Sequence, residues 1–214
     1  MIETAVLVIS YFLGAIPVGL IIGKLKGVDI RQYGSGNIGA TNVLRTLGPS
    51  AASIVFVGDT VKGLAAVLIA KHFIIGDFQP YYVVGAGLLS VIGHSASPFL
   101  KFKGGKGVAT SLGIIIGFNW LIAARAFCLW VTLVAVTRYV SVASIIASSS
   151  VPVMMFLSPV IFKGMKVPCE FSFCALAAAL LILVRHRSNI MRLVKGTEPK
   201  FGQKVSLEET GKHE

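Results

Sequence analysis

The residues best suited to chemistry lie in a glycine-rich stretch near the start of the chain. It reads Gly-Ser-Gly-Asn-Ile-Gly-Ala-Thr-Asn from Gly34 to Asn42, and Arg45 follows three residues later. Glycines let backbone N–H groups turn toward one anion, side-chain hydroxyls and amides add hydrogen bonds, and a guanidinium suits phosphate. The pattern predicts a phosphate cradle built from Gly34, Ser35, Gly36, Asn37, Gly39, Thr41, Asn42 and Arg45.

Two other interpretations of this stretch compete with the cradle. It matches G-x-G-x-x-G, but that pattern indicates a dinucleotide site only between a strand and a helix, and here an apolar span precedes it. A merely flexible loop is the second alternative. Nine residues with three glycines and no acid are a richer composition than linkers usually have, so the cradle is favoured.

A second glycine-rich segment, Lys103-Gly104-Gly105-Lys106-Gly107, lies in the middle of the chain. It is not a nucleotide-binding P-loop, because Leu100 and Gly107 stand where that motif needs Gly and Ser or Thr. Two glycines between two lysines still suit a second anion or the headgroup end of a lipid-like donor. The alternative is a basic membrane anchor. His94, at the end of the preceding apolar span, would by itself more often be an interfacial histidine than a catalytic one.

Two further segments pair polar side chains at helical spacing. Arg138 opens one segment, in which Ser141 and Ser144 are three apart and therefore share a helix face. His186 and Asn189 have the same spacing in the other segment and could face one ligand. The alternatives are helix-capping or packing serines in the first segment and topology-anchoring arginines in the second.

One acid and one base interrupt an apolar stretch. Asp59 and Lys62 are three residues apart, and each would cost about 2.5 to 3.5 kcal/mol at the centre of a membrane helix. We therefore expect them to pair inside the bundle and to support the site without transferring protons.

The elements that must hold these residues are membrane helices. The chain is 55% hydrophobic and 14% charged, far from the roughly one-quarter charged content of soluble domains. Its 214 residues allow about seven or eight spans of roughly 20 residues each. Seven apolar runs follow, of which the fourth is short: 4–24, 50–75, 80–97, 108–120, 121–137, 143–160 and 170–184.

The distribution of charge orients the spans. Seven spans put fifteen of the 20 Lys and Arg residues on the membrane face that carries the two glycine-rich segments. Four lie on the other face, namely Lys71, Arg125, Lys163 and Lys166. This bias predicts an outer amino terminus and a cytoplasmic carboxy terminus. A six-span alternative would place either the first two basic loops or the basic C-terminal tail on the outer side of the membrane. We expect one domain over 1–200 and a polar, disordered tail over 201–214.

Composition also bounds the partners. The three cysteines, Cys128, Cys169 and Cys174, lack metal-site or disulfide spacing, so no metal or other cofactor is expected. The acid Glu3 stands where a signal peptide would carry basic residues, which predicts a retained first span. The net charge is +11, and the basic residues that produce it border apolar spans. Lipid headgroups and phosphorylated substrates are therefore the expected partners, and nucleic acid is not.

Together these segments make the chain resemble the bacterial acyl-phosphate:glycerol-3-phosphate acyltransferases, integral membrane enzymes of phospholipid synthesis. The resemblance covers nearly all of residues 1–200. One departure is visible, since Ala96 and Ser97 replace an aromatic residue and a proline, and Pro98 comes one step later. The five matching motifs are Gly34 to Asn42 with Arg45, Asp59 to Gly63, Gly93-His94 with Phe102 to Thr110, Arg138 to Ile145, and Arg185 to Arg187 with Asn189 and Arg192.

The resemblance implies an activity and a location. A fatty acyl group passes from acyl phosphate to the sn-1 hydroxyl of glycerol-3-phosphate, which gives lysophosphatidic acid and phosphate. The site is expected on the cytoplasmic face of the bacterial inner membrane, within reach of an enzyme that produces acyl phosphate. The acyl chain would lie between spans open to lipid.

The resemblance also assigns roles to residues. Ser35, Gly36, Asn37, Thr41 and Arg45 would cradle phosphate, and Lys103 and Lys106 would complete the charge. His186, Asn189 and Ser141 would hydrogen-bond the substrates near the reacting carbonyl. Two candidates stand for the base, His186 and a substrate phosphate.

Two rival classes share some of these features. A transporter of phosphorylated solutes would also need cations and glycines, but we would expect paired halves and broken helices at the midplane. No internal duplication is visible in the sequence. A non-catalytic scaffold would not need glycine-rich loops that converge with Arg and Lys on one face.

Overall fold

The structure, a computed structural model, describes residues 1–161 and 167–203, and within them every regular element is helical. Two 3-10 turns, Ile30–Gln32 and Pro98–Leu100, lie in the first two polar loops. The prediction of an all-α protein is confirmed for this part of the chain. The α-helices are α1 Ile2–Ala15, α2 Val18–Leu25, α3 Ala40–Leu47, α4 Pro49–Phe73, α5 Gln79–Ser95, α6 Val108–Phe118, α7 Trp120–Thr137, α8 Val140–Phe156, α9 Ser158–Ile161, α10 Cys169–Arg185 and α11 Arg187–Val194.

Each predicted apolar run coincides with one helix or helix pair, but not all of these are long enough to cross a membrane. Four stretches of the described chain have the necessary length and hydropathy: Ile2–Leu25, Pro49–Phe73, Gln79–Leu100 and Trp120–Thr137. A fifth results if α10 and α11, which meet at an angle of 54°, form one broken span. Helices α6 and α8 are apolar but shorter.

The division of the nearly continuous run 108–137 has a local cause. Helix α6 ends at Phe118, and the next residue, Asn119, is extended with φ −158° and ψ 103°. Its side-chain oxygen accepts hydrogen bonds from the N–H groups of Leu121 and Ile122, both at 3.1 Å. An asparagine cap of this kind satisfies the free donors of a new helix, so α7 starts here as a separate element.

The first apolar run is also divided, between α1 and α2. Pro17 sits in the break, where it has no N–H to donate to the preceding turn. The carbonyl of Ala15 accepts a hydrogen bond from Ser97, at 2.7 Å, and the carbonyl of Ile16 accepts one from Lys62, at 3.0 Å. The break thus ties the first run to α4 and to the loop after α5.

Two helix crossings depend on glycine. A β-carbon at Gly63 of α4 would overlap the carbonyl oxygen of Thr110, and one at Gly113 of α6 would overlap that of Thr60. Gly14 and Gly93 meet backbone atoms of the opposite helix in the same way where α1 and α5 cross. Small residues let helix backbones approach closely, which is how membrane helices gain packing energy.

The last part of the first glycine-rich stretch is helical, because helix α3 begins after Gly39. The predicted tail begins with residues 201–203, and the Phe201 N–H donates to the Arg138 carbonyl at 2.6 Å, so the chain is held there. Residues 204–214, and Lys163 and Lys166 of the charge argument, lie outside the described residues.

Candidate functional site

The first loop is shaped from within by asparagine side chains. The amide of Asn42 is buried, donates to the carbonyls of Ile30 and Tyr33, both at 3.1 Å, and accepts from the Ser35 N–H at 2.9 Å. The Asn37 side-chain oxygen accepts from the Gly39 N–H at 2.9 Å. The side-chain amide of Asn42, which was predicted to bind substrate, therefore makes its hydrogen bonds within the loop itself.

Gly34 and Gly36 give this loop its turn. Both have left-handed backbone conformations, with φ of 60° and 67°, which side chains other than glycine rarely adopt. Neither residue lines the cavity, whereas Ser35 between them does. The two glycines thus act on the site through the conformation of Ser35.

The side chain of Arg45, on α3, reaches a segment near the C-terminus of the chain. It lines the cavity, and its Nη2 donates to the carbonyl oxygen of Pro199 at 3.1 Å. The other donors of the guanidinium group are not consumed by this bond, because arginine has five N–H groups. Arg45 can therefore hold the C-terminal segment and still present donors to an anion.

In the second loop only one of the two predicted lysines reaches the cavity. Lys106 donates from Nζ to the Asn189 side-chain oxygen at 2.6 Å and lines the cavity, while Lys103 is exposed and does not line it. The sequence pattern predicted that both lysines add charge to the site, but only Lys106 lies in the cavity.

Burial lowers the pKa of Lys106 to about 8. The nearby guanidinium groups of Arg192, Arg45 and Arg185 act in the same direction, and the carboxylate of Glu198 opposes them. A lysine with this pKa carries its charge at neutral pH but loses it in mildly alkaline solution.

Gly104 and Gly105 serve the packing of this loop. A β-carbon on Gly104 would overlap the His94 carbonyl oxygen, and one on Gly105 would overlap the His94 imidazole. Their carbonyl oxygens accept from Arg185, with Nη2 at 2.7 Å from that of Gly104 and Nε at 3.2 Å from that of Gly105. These two glycines, predicted to bind an anion directly, do not line the cavity.

His94 belongs to a buried group with the expected ion pair. Lys62 Nζ lies 2.8 Å from Asp59 Oδ1, and all three side chains are buried, so the predicted pairing is confirmed. Lys62 Nζ is also 2.8 Å from His94 Nδ1, which lies 3.6 Å from Asp59 Oδ1. Because His94 packs against Gly105, this group supports the second loop. Asp59 and His94 line the cavity and Lys62 does not.

The departure from the family pattern lies in the same loop. Ser97 is buried and bonded to the break after α1, and Pro98 opens a 3-10 turn that ends at Leu100. Lys101 and Phe102 then adopt left-handed conformations, with φ of 50° and 62°. The chain after α5 is therefore a 3-10 turn followed by two left-handed residues.

His186 and Asn189 face the cavity together, as their spacing predicted. His186 is buried, and its Nδ1 lies 2.8 Å from the carbonyl oxygen of Ile182. In the neutral ring this contact fixes the proton on Nδ1, so the lone pair of Nε2 is left to accept a hydrogen bond. Asn189 is also buried and accepts from Lys106.

Ser141 and Ser144 share the cavity-facing side of α8, also as predicted. The Ser144 hydroxyl accepts a hydrogen bond from Trp130 Nε1 at 3.1 Å. Arg138, at the start of the same segment, is exposed, does not line the cavity, and donates to the Phe201 carbonyl at 3.3 Å. Arg138 therefore holds the C-terminal segment.

Glu198 is a site residue that the sequence alone did not predict. It lines the cavity, is 7% exposed, and accepts from Asn189 Nδ2 at 2.7 Å and from Arg192 Nε at 2.8 Å. Burial acts to raise its pKa, but the hydrogen bonds from Asn189 and Arg192 and the charge of Arg192 outweigh this and lower it. The only signal in the sequence was an isolated acid among basic residues, which is common at membrane surfaces.

The side chains that form the candidate site surround one cavity of about 180 Å³. Its polar end lies where α3, α6, α8 and α10 meet the loops, and an apolar arm continues between α6, α7, α8 and α10. The predicted residues that line it are Ser35, Asn37, Gly39, Thr41, Asn42, Arg45, Asp59, His94, Lys106, Ser141, Ser144, His186 and Asn189; those that do not are Gly34, Gly36, Lys62, Lys103, Gly104, Gly105 and Arg138.

The residue types of the cavity indicate what it can bind. Among the described residues there is no cluster of three or more His, Cys, Asp or Glu side chains that could hold a metal ion. The polar end combines Arg45 and Lys106 with hydroxyl and amide groups. Its two carboxylates, of Asp59 and Glu198, are each paired with a further cation, so a positive charge remains that suits phosphate esters. The arm suits a hydrocarbon chain, and the two together fit an anionic amphiphile.

Several known proteins have sequences related to that of this chain. The family model described as Glycerol-3-phosphate acyltransferase matches residues 4–196. A protein of that name from Prochlorococcus marinus (strain NATL1A) is 42% identical over 199 residues, which covers 92% of this chain and 98% of that protein. The namesake from Gloeobacter violaceus is 44% identical over 195 residues and covers 90% and 92% of the two chains.

Two solved structures are similar to the whole bundle. Both are crystal structures of PlsY, described as an integral membrane glycerol 3-phosphate acyltransferase. The glycerol 3-phosphate form has a TM-score of 0.86 at 41% identity and covers 94% of this chain and 96% of that chain. The lysophosphatidic acid form has a TM-score of 0.84 at 41% identity and covers 95% and 97%.

Proposed function

The chain belongs to the glycerol-3-phosphate acyltransferase family, and on that premise we propose how its cavity carries out the transfer. The protein is an integral membrane acyltransferase of phospholipid synthesis. It transfers a fatty acyl group from acyl phosphate to the sn-1 hydroxyl of glycerol-3-phosphate, and the products are lysophosphatidic acid and phosphate. One observation carries this proposal: a cationic polar end and an apolar arm belong to a single cavity.

Charge neutralisation is the first task of the site. Both substrates carry phosphate and repel one another, so holding them in contact needs fixed positive charge. Arg45 and Lys106 supply it from two different segments, and Ser35, Asn37 and Thr41 add hydrogen bonds from the first loop. Substrates that fill the cavity displace its water, which strengthens each of these interactions.

The reacting atoms then need no covalent enzyme intermediate. Acyl phosphate is already activated, because phosphate is a stable leaving group. The sn-1 oxygen attacks the acyl carbonyl carbon, the bond from that carbon to the phosphate oxygen breaks, and the phosphate leaves with the electron pair. His186 Nε2 accepts a hydrogen bond from the hydroxyl and orients it, and the departing phosphate takes the proton because its basicity rises as the bond breaks.

We propose further that residues 1–200 form one membrane domain with seven spans, in which the shorter apolar helices α6 and α8 are the fourth and the sixth. The amino terminus lies outside, and the cavity mouth and carboxy terminus lie on the cytoplasmic face of the bacterial inner membrane. The fifteen Lys and Arg residues on that face favour this orientation. A soluble enzyme that makes acyl phosphate would then approach the mouth from the cytoplasm.

The orientation makes a prediction for site-directed labelling. Single cysteines placed at Gln32, an exposed position of the first loop, and at Arg187, in a variant without the three native cysteines, will both react with a membrane-impermeant maleimide only in inverted vesicles. A cysteine at Asp77, in the turn between α4 and α5, is the control and will react in right-side-out vesicles. If the first two positions reacted from opposite sides, the single-faced site would be wrong.

A reconstitution assay tests the function itself. Purified protein in vesicles is given acyl phosphate outside together with labelled glycerol-3-phosphate. Label that extracts into organic solvent as lysophosphatidic acid is the expected result. Label trapped in the lumen without acylated product would support a transporter of phosphorylated solutes instead.

The proposed role of Lys106 makes a prediction for the pH profile. Its ammonium is present below a pKa of about 8 and is lost above it, so kcat/KM for glycerol-3-phosphate will fall as the pH rises through about 8. Lys106→Arg keeps a charged group throughout, and its alkaline limb will move to higher pH. Rates are corrected for hydrolysis of acyl phosphate without enzyme. An unchanged alkaline limb in the arginine variant would assign that limb to another group.

A further inference from the structure

The second glycine-rich loop is held by hydrogen bonds from two sides. On one side, the N–H groups of Gly104 and Gly105 donate to backbone carbonyl oxygens at the end of α5, at 3.1 and 3.0 Å. On the other side, the carbonyl oxygens of the same two glycines accept from Arg185, the last residue of α10. The two glycines are therefore fixed between the ends of two helices that are far apart in the sequence.

Arginine is well suited to the contact on the α10 side. Its planar guanidinium group presents several N–H donors in a fixed geometry, so Arg185 reaches two successive carbonyl oxygens at once. A lysine has a single ammonium group and does not reproduce this geometry. We refer to the two hydrogen bonds from Arg185 to Gly104 and Gly105 as the Arg185 clamp.

The clamp ends where the cavity begins. Lys106 follows Gly105 directly, lines the cavity and donates to Asn189. Fixing the two glycines fixes the backbone from which the Lys106 side chain enters the polar end. Arg185 itself does not line the cavity, so its influence on a substrate held there passes through the loop or through its charge.

The charge of Arg185 also acts on Lys106. Burial is the largest cause of the lowered pKa of Lys106, and the positive charge of Arg185 is a smaller cause in the same direction. If the loss of the clamp lets the Lys106 ammonium reach water, both effects weaken and its pKa rises toward the ordinary value for lysine. On α5, His94 lies under the same loop, against Gly105. The charged or titratable groups that act on or respond to Lys106 are Arg45, Arg185, His186, Arg192 and Glu198.

We propose that Arg185 is a positioning residue of the acyl transfer, which holds the Gly104–Gly105 backbone and thereby keeps the Lys106 ammonium at the polar end of the cavity. The proposal rests on the acyl transfer proposed above and adds a residue that acts through Lys106 without lining the cavity. A shift of about 1 Å in a group that positions a substrate can cost about a hundredfold in rate. The activity therefore depends on an arginine outside the cavity.

The test is a double-mutant cycle between Arg185 and Lys106, with kcat/KM for glycerol-3-phosphate measured in detergent micelles. Arg185→Gln will lower kcat/KM by about tenfold or more, chiefly through a higher KM, because the ammonium is no longer fixed for the phosphate. In the Lys106→Ala background the same change will cost no more than about threefold, because the group through which Arg185 acts is already gone.

Arg187→Gln is the matched control. Arg187 is the same residue type two positions further along, but it is exposed and does not line the cavity. Its removal will leave kcat/KM within about threefold of the wild type, because exposed charges contribute little. A reduction equal to that of Arg185→Gln would mean that the segment acts through its total charge, which would overturn the proposal.

The pH profile gives a second readout. The alkaline limb of Arg185→Gln will lie at higher pH than that of the wild type, because Lys106 loses burial and a neighbouring positive charge. A substitution that only weakened the fold would lower the rate and leave the limb in place. An unshifted limb would therefore count against the clamp.

The outcomes separate this inference from the function on which it rests. Wild-type protein that forms no lysophosphatidic acid would refute the function. With an active wild type, equal losses from Arg185→Gln in the two backgrounds would overturn the clamp alone. If Arg185→Gln did not purify as a folded protein, Arg185→Lys would decide, because it keeps the charge but not the paired hydrogen bonds. That variant will lose activity beside Lys106 and lose little more beside Lys106→Ala, and equal losses there would overturn the clamp.

Discussion

Arg45→Ala will lower the rate of lysophosphatidic acid formation by about a hundredfold or more, because removing a charge-assisted hydrogen bond from a desolvated site costs about 3 kcal/mol. The guanidinium lines the polar end of the cavity, and its bond to Pro199 leaves further donors for phosphate. Without it, two anionic substrates share the cavity with less opposing charge. The measurement is the initial rate with labelled glycerol-3-phosphate in detergent micelles.

The matched control for this variant is Arg31→Ala. Arg31 lies in the same loop but pairs with Asp29 at 2.6 Å on the exposed surface. An exposed pair contributes little, so this variant will keep its rate within about threefold of the wild type. Arg45→Lys will fall between the two, because it keeps the charge but loses the planar fork. Activity of Arg45→Ala within about threefold of wild type would contradict the cradle.

Lys106→Ala will reduce the rate by a similar factor, about a hundredfold, because it also removes a charge-assisted hydrogen bond at a buried site. The ammonium is 2.6 Å from Asn189, which in turn donates to Glu198. The variant leaves a buried amide oxygen without its donor and removes one of two cations from the polar end. Both kcat and the affinity for glycerol-3-phosphate will fall.

Lys103→Ala is the paired comparison, since the two lysines are three residues apart in one glycine-rich loop. Lys103 is exposed and does not line the cavity, so its removal will change the rate by no more than about threefold. Equal reductions in the two variants would mean that the loop acts through its total charge. The position of Lys106 in the cavity would then not be the cause.

Several site residues were predictable because their signals are local. The spacing of Ser141 and Ser144 on α8, and of His186 and Asn189 at the start of α11, puts each pair on one helix face, and both pairs line the cavity. The Asp59–Lys62 pair could be foreseen because an apolar span penalises two separated charges. Helix periodicity and desolvation act over a few residues, so one sequence suffices to read them.

Other roles depend on which segments meet. Asn42 was predicted to bind substrate but holds the loop, because Ile30, Tyr33 and Ser35 surround its amide. Gly104 and Gly105 were predicted to bind an anion but make room for His94. The hydrogen bonds and contacts that these residues make in the structure come from neighbours that only the fold brings to them.

Hydropathy and motif spacing were enough to establish a helical membrane protein and its acyltransferase family, because apolar length and loop composition are properties of contiguous residues. The composition of the working site required tertiary contacts. Lys106 and Asn189 are 83 residues apart in the chain, and Arg45 and Pro199 are 154 apart. The choice of Lys106 over Lys103, and the place of Glu198 among the cations, follow from helix packing that brings distant segments to one cavity.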